Sequence, residues 1–250
     1  MFDFNVKAGH WPYRPVRRLD AYLEAMDEYG IQHAVVSSLN AVHYLNPQNG
    51  NQELAEASAH HRDRLTPFAV LRPNFTGYVD DLAQCADDLG MKGLVLYPNY
   101  HEYALADPAL ETLMIEAARR AWPVCVQAGL EDPRRQFRQH KVAEVPAADI
   151  GDFARAYPDV PVVALGLKVG QPESAGEPLP HNFLFDTSNY ETLGEMESAV
   201  ERFGADRILL GSNFPLFNPS ANVDKLRQAA LAEADRDAIA GGNARRLLGP

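Results

Sequence analysis

Two side chains of this 250-residue sequence are the best candidates for moving a proton. His101 lies in an aromatic segment between Tyr97 and Tyr103, where an imidazole could titrate near neutral pH and act as an acid or a base. Its alternative role is to anchor the turn. Asp132 follows an apolar strand and could act as a general base, or it could form a solvated surface pair. We predict His101 and Asp132 as the catalytic candidates.

A second set of polar residues could bind an anionic small molecule. Lys7, Arg72 and Lys168 would bring three cations together in an acidic chain, which favours a carboxylate ligand. Lys7 could instead pair with a nearby aspartate and serve the structure alone, and Arg134 could be solvated rather than a carboxylate clamp. The predicted substrate-binding residues are Asn5, Lys7, Arg72, Asn99, Tyr103, Gln127, Arg134 and Asn213.

The elements that must position these residues follow from alternating patterns. Short apolar runs alternate with amphipathic stretches of helical period, which is typical of repeated βα units and a parallel sheet. A doubly wound open sheet is the alternative, but no Gly-x-Gly-x-x-Gly follows the first strand. The eight predicted strands are Phe2–Val6, Ile31–Ser38, Thr66–Leu71, Lys92–Tyr97, Pro123–Ala128, Val160–Leu167, Phe183–Thr187 and Arg207–Gly211.

Eight units favour a single (β/α)₈ barrel over residues 1–250. The segment Val169–Pro180 holds three prolines and two glycines, so we predict a loop in place of the sixth helix. The active site of such a barrel is built from the carboxyl ends of its strands and the loops that follow them. The polar candidates above occupy those places. The predicted helices are Val16–Tyr29, Asn51–Arg62, Tyr78–Leu89, Pro108–Ala121, Ala147–Ala156, Thr192–Phe203 and Val223–Leu248, the last with a break at Gly241-Gly242.

Composition restricts the partners. The formal charge of −11 argues against binding to nucleic acid or anionic membranes. No apolar stretch reaches 18 residues, and the first residues lack the basic leader of a signal peptide. The two cysteines, Cys85 and Cys125, fall in unlike contexts and suit a reducing compartment. We therefore expect a cytoplasmic protein whose partner is a small molecule.

Several segments resemble one known family. Asp3–Lys7, Gly211–Pro215 and Ala240–Leu248 are similar to signatures of the amidohydrolase-related family of the amidohydrolase superfamily, in order and along nearly the full chain. Tyr97–His101 and Leu130–Arg134 look like elements of a subgroup. The resemblance implies a metal-dependent-hydrolase-like barrel. Because barrels of this family often pair, it also implies a homodimer, although no isolated apolar stripe indicates one.

The resemblance also locates where a metal would be held. Family members typically carry Asp-x-His-x-His on strand one, and this chain has Asn5 and Lys7 in place of the two histidines. Gln127 and Leu165 stand where further histidines are expected, and Asn213 stands where an aspartate binds metal and accepts a proton. An ammonium repels a dication, and an amide is a poor base. We therefore expect no cofactor and no divalent metal of the family type.

Three functions remain open at this point. The first is a hydrolase or non-oxidative decarboxylase that acts without a metal on a small carboxylate-bearing compound, as the resemblance implies. The second is a catalytically inactive barrel that binds a metabolite or a protein partner. The third is a metal-dependent hydrolase whose ligands have moved elsewhere.

Overall fold

Nine short parallel strands line the interior of the molecule in a computed structural model that describes residues 1–249. They arise where the sequence has runs of β-branched and other apolar residues, and almost all of their side chains are buried. The strands are β1 Phe2–Ala8, β2 His33–Ser38, β3 Leu65–Pro67, β4 Ala69–Val70, β5 Leu94–Leu96, β6 Val124–Gln127, β7 Val162–Leu165, β8 Phe183–Asp186 and β9 Ile208–Leu209.

The strands form two hydrogen-bonded sheets, β1-β2-β3 and β4-β5-β6-β7-β8-β9, in which every pairing is parallel. Only Phe68 separates β3 from β4, and its backbone N–H donates to the carbonyl of Val36 on β2. The strands β3 and β4 are therefore two halves of one barrel strand, which the sequence predicted as Thr66–Leu71.

The other edge is closed by the chain that follows β9. The N–H of Phe4 donates to the carbonyl of Leu210 at 2.7 Å, and the N–H of Asn213 donates to the carbonyl of Asn5 at 2.8 Å. Val6 also forms a parallel bridge with Phe214. These bonds join the first strand to the last, and the predicted (β/α)₈ barrel is confirmed.

Helices cover the outside of this barrel. The loop predicted in place of the sixth helix holds only a short 3₁₀ helix, Gln171–Ala175. The predicted last helix is divided into three, because Ala229 leaves helical geometry and Gly241 adopts φ 160° at a kink. The α-helices are α1 Leu19–Tyr29, α2 Asn40–His43, α3 Pro47–Ala57, α4 Tyr78–Asp87, α5 Pro98–His101, α6 Leu110–Arg120, α7 Ala147–Ala156, α8 Glu195–Phe203, α9 Pro219–Gln228, α10 Glu233–Asp237 and α11 Asn243–Leu248.

Apolar packing falls into two parts, because successive side chains of a strand point to opposite faces. One part fills the barrel and includes Phe4, Phe68 and Val95. The other lies between the strands and the helices and includes Leu96 and Leu113. Among residues 1–249, no helix combines the length and the apolar character that crossing a bilayer requires.

Candidate functional site

Polar side chains replace apolar ones at the carboxyl end of the barrel interior. Below them, the inward positions hold residues such as Val35, Cys125 and Leu184, which belong to the apolar filling of the barrel. On β2, β6 and β8 the alternation of side chains brings polar groups inward two residues further along, whereas on β1 a register irregularity between Asp3 and Val6 turns Lys7 inward. We call these six residues, each at most 3% exposed, the polar ring: Lys7, Ser37, Tyr97, Gln127, Asp186 and Asn213.

Lys7 and Asp186 face each other across this ring through an intervening amide. The Nζ of Lys7 donates to Oδ1 of Asn5, and Nδ2 of Asn5 donates to Oδ2 of Asp186 at 2.6 Å. Nδ2 of Asn5 also lies 3.2 Å from the Ser188 hydroxyl, and the N–H of Gly166 donates to the other Asp186 oxygen at 2.7 Å. No carboxylate of residues 1–249 comes within 4.0 Å of the Lys7 ammonium.

Burial changes the protonation of both ends of this chain of hydrogen bonds. Loss of solvation lowers the pKa of Lys7 to about 8, against the opposing charges of Asp186, Cys125 and Asp3. The same loss of solvation raises the pKa of Asp186, although its hydrogen bonds and Lys7 oppose the change. Lys7 is therefore an amine that can lose its proton at mildly alkaline pH.

Gln127 and Asn213 present amide oxygens to the ring. The Nε2 of Gln127 donates to the carbonyl of Gly129 at 2.8 Å, and Nδ2 of Asn213 donates to the carbonyl of Leu130 at 2.8 Å. Their side-chain oxygens accept no hydrogen bond within residues 1–249. Asn213 also has φ 52°, a left-handed conformation that is uncommon outside glycine and concentrates at functional sites. Both oxygens are available to a ligand that donates hydrogen bonds.

His101 is buried beside the ring, with its imidazole centroid 6.0 Å from that of Tyr97. Burial, and then the positive charge of Arg72, lower the pKa of His101 to about 4, although the backbone of Ala41 and Val42 opposes the shift. The expectation that this histidine titrates near neutral pH is therefore wrong, since it is neutral there. Its part in proton transfer stays a prediction.

The two acidic residues after β6 differ in their surroundings. Both Asp132 oxygens are bound by the Arg134 guanidinium at 2.6–3.0 Å, and this pairing lowers the pKa of Asp132. Arg134 is 74% exposed and also contacts Glu191. Glu131, in contrast, is buried and accepts from Trp11 Nε1 at 3.1 Å. Glu131, and not the predicted base Asp132, is thus the acid that is buried inside the protein.

Besides Arg134, three predicted binding residues lie apart from the polar ring. The Nε of Arg72 donates to the Asn74 side chain at 2.9 Å. Asn99 is exposed and donates to the carbonyl of Ala143. Tyr103 packs in the apolar layer between strands and helices. The structure brings Asn5, Lys7, Gln127 and Asn213 together, and it places Arg72, Asn99, Tyr103 and Arg134 apart from them.

Aromatic side chains from the loops after β1, β2, β5 and β6 lie over this end of the barrel. The rings of Trp11 and His43 are 4.9 Å apart, and Tyr13 stacks on Phe137 at 5.4 Å. Tyr100 connects this group to the polar ring through Tyr97, at 6.3 Å. A cavity of about 790 Å³ runs beside it from Ala8 towards Leu19. We call the group the aromatic cover: Trp11, Tyr13, His43, Tyr100, Phe137 and His140.

The predicted catalytic and binding residues leave out five residues that the structure places here. Asp186 carries a sequence signal, because it is the last residue of an apolar strand and has the inward parity. Tyr97 and Ser37 carry the same parity signal on their strands. Trp11 and Glu131 meet across 120 residues of sequence, and no local pattern predicts that contact.

Solved structures share this fold at nearly full length. The chain matches 2,6-dihydroxybenzoate decarboxylase from Rhizobium with a TM-score of 0.76 and 20% identity, over 98% of each chain. A dihydroxybenzoic acid decarboxylase from a Polaromonas species, solved with manganese and the inhibitor 2-nitroresorcinol, matches at 0.73 and 19%, over 99% of this chain and 96% of that one. A 4-oxalomesaconate hydratase from Rhodopseudomonas palustris matches at 0.69 and 16%, over 92% and 80%.

The manganese in the Polaromonas structure bears on the cofactor prediction. The sequence led us to expect no cofactor, and this expectation is wrong: a protein of the same architecture holds a divalent ion. A divalent metal therefore has to be counted as a cofactor in this family.

The polar ring offers few of the ligands that such an ion requires. Divalent ions are held by several imidazole, thiolate or carboxylate ligands. Within residues 1–249, no group of three or more His, Cys, Asp or Glu side chains is arranged to hold a metal. Both oxygens of Asp186 already accept hydrogen bonds, and the Lys7 ammonium contacts the Asn5 amide that binds one of them. The ring in this arrangement does not fit a divalent ion.

Sequence comparison extends the structural likeness. No curated protein matches the chain. The family model described as amidohydrolase matches residues 5–165 and 179–249. These two segments include the polar ring and every barrel strand except the first residues of β1. The chain therefore belongs to the amidohydrolase family.

Proposed function

We propose that this protein binds a small carboxylate-bearing compound at the polar ring and catalyses its decarboxylation or hydrolysis. One observation carries the proposal: the Lys7 ammonium is buried at the carboxyl end of the barrel without a carboxylate in contact. Burying a charge is costly unless a partner compensates it. An anionic ligand in the ring would supply that partner.

The neighbours of Lys7 suit an anion that changes its charge distribution during a reaction. Asn5 is held by Asp186 and Ser188, so the amine it contacts has a fixed direction. The free oxygens of Gln127 and Asn213 can accept hydrogen bonds from hydroxyl or water groups on the ligand. Fixed dipoles and a fixed cation stabilise developing negative charge in a site that excludes water.

The structural relatives support the class of substrate. Two of them are named as decarboxylases of dihydroxybenzoic acids, and the third as a hydratase of an oxalomesaconate. Each of these names describes a small carboxylate. Because these proteins are less than 25% identical in sequence to this chain, they indicate the class of substrate and do not identify the compound.

A second candidate is a catalytically inactive barrel that binds a metabolite or a protein partner. The observation that favours it is closure, since Lys7 and Asn213 are at most 1% exposed under the aromatic cover. Turnover in this protein requires the cover to open and admit the substrate. An inactive barrel that binds its partner outside the polar ring does not require this movement.

The experiment pairs ligand binding with turnover. We would measure thermal shifts and release of CO₂ or hydrolysis product with a panel of hydroxybenzoates, aliphatic oxo acids and lactones, with and without added Mn²⁺. The variant Lys7→Met removes the buried amine, and Lys92→Met removes an exposed one as the matched control. We expect binding and turnover in the wild type and in Lys92→Met, and loss of both in Lys7→Met. Binding without turnover would overturn the enzymatic proposal in favour of the inactive barrel, and no binding by any acid would overturn both.

A further inference from the structure

We propose that the Lys7 amine forms an imine with the carbonyl carbon of a small oxo acid and decarboxylates it through that bond. This inference rests on the proposed function, because it requires a carboxylate to enter the polar ring. It goes beyond that function by assigning covalent chemistry to one atom, Nζ of Lys7. It also narrows the substrate to a β-oxo acid.

The amine has the position that a nucleophile needs. Its Nζ has one hydrogen-bond acceptor within residues 1–249, the Asn5 side-chain oxygen, and no carboxylate within 4.0 Å. A lysine locked in an ion pair would keep its proton and its lone pair would be unavailable. Lys7 is instead held in one direction by a neutral amide and points into the ring.

The surroundings of the amine increase the fraction of its neutral form in the resting protein. Desolvation is the largest effect on Lys7 and lowers its pKa to about 8, so that roughly a tenth of it is neutral near pH 7. Asp186 is linked to Lys7 only through Asn5, and its charge opposes the lowering of the Lys7 pKa only in part. The same buried carboxyl would stabilise the positive charge of an iminium formed on Lys7.

The reaction balances without an oxidant or a reductant. The ammonium and the ketone give an iminium ion and one molecule of water. The carbon–carbon bond to the β-carboxylate then breaks, CO₂ leaves, and the electron pair moves to the iminium and forms a neutral enamine. A proton is added at the enamine carbon, and water hydrolyses the resulting iminium to the ketone and the Lys7 ammonium. The net change is that one oxo acid anion and one proton become one ketone and CO₂.

The ring and the cover supply the conditions for these steps. The oxygens of Gln127 and Asn213 can accept from the hydroxyl group of the carbinolamine, the adduct that precedes water loss. The aromatic cover limits bulk water, which would otherwise hydrolyse the imine before CO₂ departs. An amine that is only 1% exposed beneath aromatic side chains therefore fits an imine better than it fits attack by free water.

The test is reductive trapping. The wild type is incubated with oxaloacetate or acetoacetate in sodium cyanoborohydride, and adducts are mapped by peptide mass spectrometry. Lys7→Arg keeps a cation but cannot form an imine, and Lys92→Met controls for surface reaction. We expect one adduct, on Lys7, in the wild type and in Lys92→Met, none in Lys7→Arg, and a loss of oxo acid decarboxylation on the order of 1000-fold in Lys7→Arg.

The outcomes separate the two proposals. If an acid shifts the melting temperature or loses CO₂ but Lys7 acquires no adduct, the imine is overturned and the proposed function stands. Decarboxylation that survives in Lys7→Arg has the same consequence. If oxaloacetate, acetoacetate and hydroxybenzoates neither bind nor react, both proposals fall.

Discussion

The Asn5 amide joins Lys7 to Asp186, donating to the Asp186 carboxylate at 2.6 Å while its oxygen accepts from the ammonium. The two charged groups are thus linked through a neutral side chain and are not in direct contact. An amide can serve both because it carries a donor and an acceptor. This arrangement keeps one face of the amine open, and it makes Asn5 the residue on which the polar ring depends.

Replacing Asn5 by alanine should destabilise the protein. The change leaves the Lys7 ammonium without its acceptor and removes the hydrogen bond to Asp186, so we expect the free energy of unfolding to fall by about 2–4 kcal/mol. Urea denaturation measures this change. The control is Asn99→Ala, which removes one exposed hydrogen bond to the carbonyl of Ala143 and should cost no more than about 0.5 kcal/mol. Equal effects of the two variants would contradict the role given to Asn5.

A methyl group added at Gly211 should disturb the same pair from the other side. The Cβ of an alanine there would lie 2.3 Å from Asp186 Oδ2 and 3.0 Å from Asn5 Cβ. Because both neighbours are buried and hydrogen-bonded, we expect Gly211→Ala to lower the unfolding free energy by about 1–3 kcal/mol and to weaken acid binding. Gly170→Ala is the matched control, since no atom lies within 4 Å of its added Cβ. Thermal unfolding with and without an acid ligand distinguishes them, and a Gly211→Ala protein as stable as Gly170→Ala would refute this geometry.

The pKa of Lys7 predicts how stability depends on pH. Its pKa is about 8 in the folded protein, against an ordinary value of 10.5. Between these two pH values the unfolded chain binds a proton that the folded protein does not. The free energy of unfolding therefore rises with pH over this window, and this gain in stability is absent below pH 8. The full rise is about 3 kcal/mol. Asp186, Cys125 and Asp3 are the titratable groups that act on this amine.

The measurement compares the wild type with Lys7→Met between pH 7 and about pH 10. The difference in unfolding free energy between the two proteins isolates the lysine, because Tyr and Cys side chains titrate in both. We expect this difference to increase with pH in favour of the wild type. The difference in unfolding free energy between the wild type and Lys92→Met should show no such dependence on pH. A difference that stays constant or decreases would show that Lys7 keeps its ordinary pKa.

The barrel could be predicted from the sequence because its signals are local. Apolar runs of strand length, separated by amphipathic stretches, marked each βα unit, and the prolines of Val169–Pro180 marked the missing helix. Strand ends were predicted less well. The strand predicted as Lys92–Tyr97 is regular only over Leu94–Leu96, although Lys92 and Gly93 also form backbone hydrogen bonds to Pro67 and Ala69, since pairing depends on neighbours that are distant in sequence.

The site was predictable where polar residues stand at or just after strand ends. Gln127 has the inward parity of its strand, Lys7 turns inward after a register irregularity of β1, and Asn213 follows β9, and the structure brings the three together. Asp132 and Glu131 are adjacent in sequence, and which one is buried depends on Trp11 and Arg14, far away along the chain. The low pKa of His101 likewise arises from burial by several loops, which no pattern around residue 101 reports.

The contact between Trp11 and Glu131 ties the loop after β1 to the loop after β6, and so holds the aromatic cover together. Arg14 reinforces it with an ion pair to the same carboxylate at 3.1 Å. Glu131→Ala removes both bonds, so we expect the cover to open more often and Trp11 to become accessible to acrylamide. Fluorescence quenching in a Trp122→Phe background reports on Trp11 alone, because the chain has two tryptophans. Glu191→Ala, which removes an exposed partner of Arg134, is the control and should leave quenching unchanged.

If closure of the aromatic cover limits entry to the polar ring, Glu131→Ala should also bind acids faster than the wild type in stopped-flow measurements. Unchanged quenching and unchanged binding rates would show that other contacts hold the cover.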